Sequence, residues 1–95
     1  MIQEYLVGEL SARLGQLQAA AQLPSAREDV ARLRRQVENG PVTWLPGELT
    51  RALVLAEQMC WDSLSRGDAW AFDRQAALCA DLRLFGACAR LIDDE

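Results

Sequence analysis

The chain contains no histidine and no lysine. Without histidine it lacks the commonest general base, the commonest metal ligand and the usual switch near neutral pH. Without lysine it lacks Schiff-base chemistry and the ammonium of phosphate-binding loops. Helical bundles that hold two metals with carboxylates rely on Glu-x-x-His, which cannot be written here. No glycine-rich phosphate loop and no nucleophile paired with a base are present. These absences exclude most reaction classes, and the chain reads as non-catalytic, with no cofactor and no metal. Cysteine is scarce: Cys60, Cys79 and Cys88 are odd in number and contain no C-x-x-C pair. A disulfide framework is therefore not expected, and three thiols in a reducing cytoplasm is the simpler reading. No run approaches the ~18 apolar residues of a membrane span. Met1 to Leu10 carries Glu4 and Glu9 with no basic start, so no secretory signal is expected.

What is present suits a single helical domain over residues 1–95. The length supports one core, 51% of residues are apolar and 25% are charged. All ten basic residues are arginine, a bias that fits the GC-rich codons of a bacterial genome. Fourteen acids oppose them for a net charge of -4, a poor starting point for nucleic acid. Arg27, Arg32, Arg34 and Arg35 cluster, but Glu28, Asp29 and Glu38 interleave them, which reads as a solvated mixed-charge face.

The periodicity predicts a four-helix bundle of two antiparallel hairpins, with helices at about 2–22, 25–39, 46–66 and 68–92. Leu6, Leu10, Leu14, Leu17 and Ala21 form the stripe of the first helix, which ends at Leu23-Pro24. Gly8 and Gly15 lie inside it and permit close helix contact. Ser25 and Glu28 have the spacing of a capping box, and Gly40 is placed for a left-handed helix end. Ala26, Val30, Leu33 and Val37 form a narrow stripe, which puts the second helix at the periphery. In the connector Pro41 to Gly47, either Thr43 caps the third helix or Pro46 occupies its first position. Trp44 reads as a plug over one bundle end. Gly67 ends the third helix and Asp68 caps the fourth; the acidic end Asp93-Asp94-Glu95 is expected to fray. Glu9 with Arg13, Glu28 with Arg32 and Asp62 with Arg66 are expected ion pairs four apart.

The last two helices have more apolar surface than one facing helix covers. Leu49, Ala52, Leu53, Leu55, Ala56, Met59, Cys60 and Leu64 span about half a wheel, and Val54 and Trp61 fall outside it on one side. In the fourth helix, Ala77, Ala80, Leu84, Ala87 and Leu91 form one seam, and Leu78, Leu82, Phe85, Ala89 and Ile92 a second. Two seams imply two packing partners. These are the third and first helices in a monomer; in a dimer, one seam faces a second chain.

Other polar and aromatic residues have plain readings beside the functional ones. If the last hairpin is symmetric about Gly67, Cys60 lies opposite about Arg74 and Cys79 is roughly 7 Å further along. That separation is awkward for a disulfide, so the cysteines read as small buried hydrophobes. Asp81 sits between the seams near Trp70 and Cys88. Its plain reading is an ion pair with an arginine such as Arg74. The expected function is a cytoplasmic protein-interaction or regulatory module that self-associates as a homodimer or binds a protein partner, using Val54, Trp61, Leu84 and Leu91. The alternative is a small-ligand-binding bundle with a pocket of Trp70, Asp81 and Cys88. A third reading is a nucleic-acid-associated regulator acting through the second helix.

Overall fold

A computed structural model describes the backbone of residues 2–91 and the side chains from Glu4 onward. Among these residues there are four α-helices: α1 (Ile2–Ala20), α2 (Pro24–Asn39), α3 (Leu45–Ser65) and α4 (Ala69–Cys88), with a 3-10 turn at Val42–Trp44. No strand occurs among them. The bundle is the expected one. α1 packs on α2 and α3 on α4; the two hairpins join through α2–α3 and α1–α4 contacts, and α1 touches α3 across the diagonal. The Cα atoms span 42 × 29 × 16 Å. The smallest extent accommodates only two layers of helices, so each helix keeps an outer face. No helix described here is long and apolar enough to cross a membrane.

The core follows the predicted stripes. Leu10, Leu14 and Leu17 from α1 meet Val30, Leu33 and Val37 from α2, and Leu45, Leu49, Ala52 and Ala56 from α3. Leu82 and Phe85 of α4 complete it. Gly8 makes no close contact, contrary to expectation. Gly15 instead leaves room for the Arg34 guanidinium, whose Nη1 would lie 2.9 Å from an added Cβ. Arg34 Nε donates to Ser11 Oγ at 3.1 Å and Ser11 donates to Glu38, a polar clasp between α1 and α2.

Several local readings are corrected. Ser25 and Glu28 form no capping box, because α2 starts one residue earlier, with Pro24 in its first turn and Leu23 as its cap without a side-chain bond. Proline has a helix-ready φ and no N–H to satisfy, so it opens the helix before serine can. Glu28 lies 3.6 Å from Arg35, and Arg32 pairs with Asp29 at 3.3 Å, so the Glu28–Arg32 pair does not form. Asp62 and Arg66 meet only through a backbone bond of 3.1 Å, whereas Glu9–Arg13 forms at 2.9 Å. Gly40 is extended at φ -93 rather than left-handed, since Pro41 restricts the residue before it. Glycine is needed there for space: an added Cβ would lie 2.6 Å from the Gln36 carbonyl and 2.9 Å from the Trp44 ring. Trp44 thus rests on Gly40 with 57% of its surface exposed, and is not a plug. Pro46 lies in the first turn of α3 and Thr43 in the 3-10 turn, which decides between the two start sites.

The two helix ends of the second hairpin use the same device. Gly67 at φ 74 and Asp68 donate to Leu64 and Ser63 carbonyls at 3.1 and 2.9 Å, closing α3. Asp68 then caps α4 by accepting from the Ala71 amide at 3.1 Å. α4 closes at Cys88, four residues before the predicted end. Arg90 and Leu91 donate to the Ala87 and Gly86 carbonyls at 3.1 and 2.8 Å, with Arg90 at φ 59. Ile92 and the acidic end lie outside the described residues.

Candidate interaction surface

Cross-helix polar contacts set the register of α3 against α4. Ser63 Oγ, fully buried, donates to Gln75 Oε1 at 2.6 Å. Gln75 Nε2 donates in turn to the Ala20 carbonyl at 3.0 Å. Ala20 is the last residue of α1, so this amide satisfies a carbonyl that the helix end leaves open. Further along, Arg83 Nη2 lies 2.7 Å from Glu57 Oε1. These two pairs bracket Cys60 and Cys79, which fall opposite each other. The hairpin is therefore not symmetric about Gly67. α4 reaches Gln75 before it meets Ser63, and Trp70, Asp73 and Arg74 stay exposed on its first turns.

That register decides which apolar seam of α4 turns inward. Leu82 and Phe85 are buried and Leu78 and Ala89 pack on the core, together with Ala71, Gln75 and Cys79. Ala77, Ala80 and Leu84 of the other seam are exposed. On α3, Leu64 is exposed although the wheel placed it inside. Trp61 is 68% exposed, Leu84 64% and Val54 46%. Leu91, expected beside them, is partly buried and packs on the core, because the chain turns back after α4.

Between α3 and α4 runs an apolar groove of about 360 Å³ lined by Cys60, Trp61, Leu64, Phe72, Ala76 and Ala80, with Cys79 also on its wall. The Glu57–Arg83 pair stands at its border. A second groove, of about 330 Å³, lies between α1 and α4 and includes Tyr5, Leu84 and Cys88. Asp81 and Cys88 share this second groove, but Trp70 does not, so the expected pocket trio is not assembled. Trp70 lies instead beneath Arg74, whose guanidinium carbon is 5.8 Å from the indole centroid. Asp81 pairs not with Arg74 but with Arg13, at 3.0 Å from Nε. Arg13 also contacts Glu9 and sits 4.5 Å over the Phe85 ring. Burial disfavours its charge, but Glu9 and Asp81 outweigh this and raise the guanidinium pKa.

The three cysteines are unpaired: Cys79 is buried, Cys60 half-buried and Cys88 exposed. Burial pushes the Cys60 thiol pKa up, and neighbouring Cys79 and Glu57 push it further. Burial also raises that of Cys79, opposed in part by the Arg83 guanidinium.

Glu48 was not singled out from the sequence. It is buried in the first turn of α3, and neither carboxyl oxygen has a hydrogen-bond partner. Burial raises its pKa. The signal was available, because Glu48 falls between Leu45 and Ala52 on the inward stripe of α3. An acid just after Pro46-Gly47 reads first as a residue favoured by the helix N-terminus. The sequence matches no known family profile, and neither a characterised protein nor a solved structure is detectably similar to it.

Proposed function

We propose that the chain is a non-catalytic, cytoplasmic interaction module that self-associates through the outer face of α3 and α4. The observation that carries this reading is the pair of uncovered apolar side chains Trp61 and Leu64 on the α3–α4 groove, with Leu84 exposed on α4 at the neighbouring α1–α4 groove. A buried aromatic removes about 150–250 Å² from water, and burial contributes about 25 cal/mol per Å², so one covered tryptophan supplies several kcal/mol of gross association energy. A second copy suits the face better than an unrelated ligand for two reasons. Ala77 and Ala80 are small and exposed, so another helix can approach α4 closely. Charges of both signs flank the face (Glu57 with Arg83, Asp73 with Arg74), which makes it complementary to itself under a two-fold axis.

Size-exclusion chromatography with light scattering tests the reading. A dimer is expected at ~100 µM, a concentration above the dissociation constant of most specific complexes. Replacing Trp61→Glu should return it to monomer while far-UV circular dichroism stays unchanged. A monomeric wild-type chain at that concentration refutes self-association.

A further inference from the structure

The dithiol at the centre of the α3–α4 register carries an inference about the dissociated chain, whose groove is uncovered. Cys60 lies one turn from Ser63 and one turn from Glu57 along α3; Cys79 lies one turn from Gln75 and from Arg83 along α4. Both flanking pairs are in contact, at 2.6 and 2.7 Å, so the helices are pinned together above and below the two thiols. The thiols are near enough that ionisation of Cys79 opposes that of Cys60. Both reach the same groove, and Cys60 is only half-buried, which opens it to a small reagent. Cys88 faces the α1–α4 groove instead.

We infer that Cys60 and Cys79 form a single modification site, a dithiol that a low-molecular-weight disulfide converts into a cross-link between α3 and α4. The exchange proceeds in two steps. The Cys60 thiolate attacks one sulfur of the small disulfide, breaks its S–S bond and releases one thiol. The Cys79 thiolate, beside Arg83, then attacks Cys60 Sγ and releases the second. The two cysteine protons pass to the two released thiols; the cysteine pair is oxidised by two electrons and the small disulfide is reduced by two. Because burial disfavours both thiolates, the exchange is slow at neutral pH and accelerates about tenfold per pH unit until the thiols ionise.

The test incubates the native full chain with oxidised glutathione at micromolar protein, blocks free thiols with N-ethylmaleimide and measures intact mass. The expected product has lost two hydrogens, about 2 Da, at Cys60 and Cys79, and carries either one maleimide or one glutathione on the exposed Cys88. Trypsin leaves each cysteine on a separate peptide, so the cross-link appears as a joined pair that reductant separates. The cross-linked form should melt at a higher temperature than the reduced form, because the bridge restricts the unfolded chain. Cys60→Ser should abolish the loss of two hydrogens. A lasting glutathione adduct on Cys60 with Cys79 still open to maleimide overturns the inference, as does oxidation confined to Cys88-linked dimers. Neither result bears on light scattering of the reduced protein, so the two proposals fail separately.

Discussion

Replacing Gln75→Leu should destabilise the bundle far more than its similar volume suggests. Gln75 is 1% exposed and its amide serves two buried groups, the Ser63 hydroxyl at 2.6 Å and the Ala20 carbonyl at 3.0 Å. Leucine leaves both without a partner. A buried polar group so stranded costs about 1–3 kcal/mol, hence about 2–6 kcal/mol for the two. The apolar gain of leucine offsets about 1–2 kcal/mol of this. At mid-range values the net loss is about 2.5 kcal/mol, a large share of the ~5–15 kcal/mol that holds an ordinary domain together. For a domain of this size that corresponds to a drop in Tm of about 10–20 °C. Urea unfolding followed by circular dichroism should show a lower midpoint with an unchanged slope. Adding Ser63→Ala removes one of the stranded groups. The double variant should therefore be more stable than the sum of the single losses predicts, by at least about 1 kcal/mol. A Gln75→Leu loss below about 0.5 kcal/mol, within the range of inert surface substitutions, would refute the network as a determinant of the fold.

The buried Glu48 has a pKa raised by burial, so the folded state binds its proton more readily than the unfolded state. Its contribution therefore favours folding at low pH and is lost as pH rises through the raised value. Glu48→Leu should stabilise the chain by about 1–3 kcal/mol at neutral pH and remove that part of the slope; an identical stability–pH curve for the two proteins would contradict this. Gly40→Ala, which pushes a Cβ to 2.6 Å from the rigid Gln36 carbonyl, should cost about 1–3 kcal/mol in thermal unfolding. At Gly8 the same change meets nothing within 4 Å and should add about 0.5–1 kcal/mol. Arg90→Gly relieves a left-handed arginine at φ 59 and should raise stability by about 1 kcal/mol, read as a Tm increase of several degrees.

The number, order and approximate extent of the helices were legible because each is encoded within a few residues. The recurrence of Leu10, Leu14 and Leu17, or of Val30, Leu33 and Val37, states which side of a helix is buried. Gly67-Asp68 states where one helix must stop and the next begin. The exposure of Val54 and Trp61 followed from the same local geometry. Periodicity does not state the axial shift or the rotation of one helix against another. It could not say that Cys60 faces Cys79, that Arg13 rather than Arg74 reaches Asp81, or which seam of α4 is left uncovered. Those depend on all four helices satisfying their apolar stripes and buried polar groups together. The Gln75 amide meeting the open end of α1 shows why: residues 20 and 75 have no local relation, and only the assembled bundle brings them to 3.0 Å.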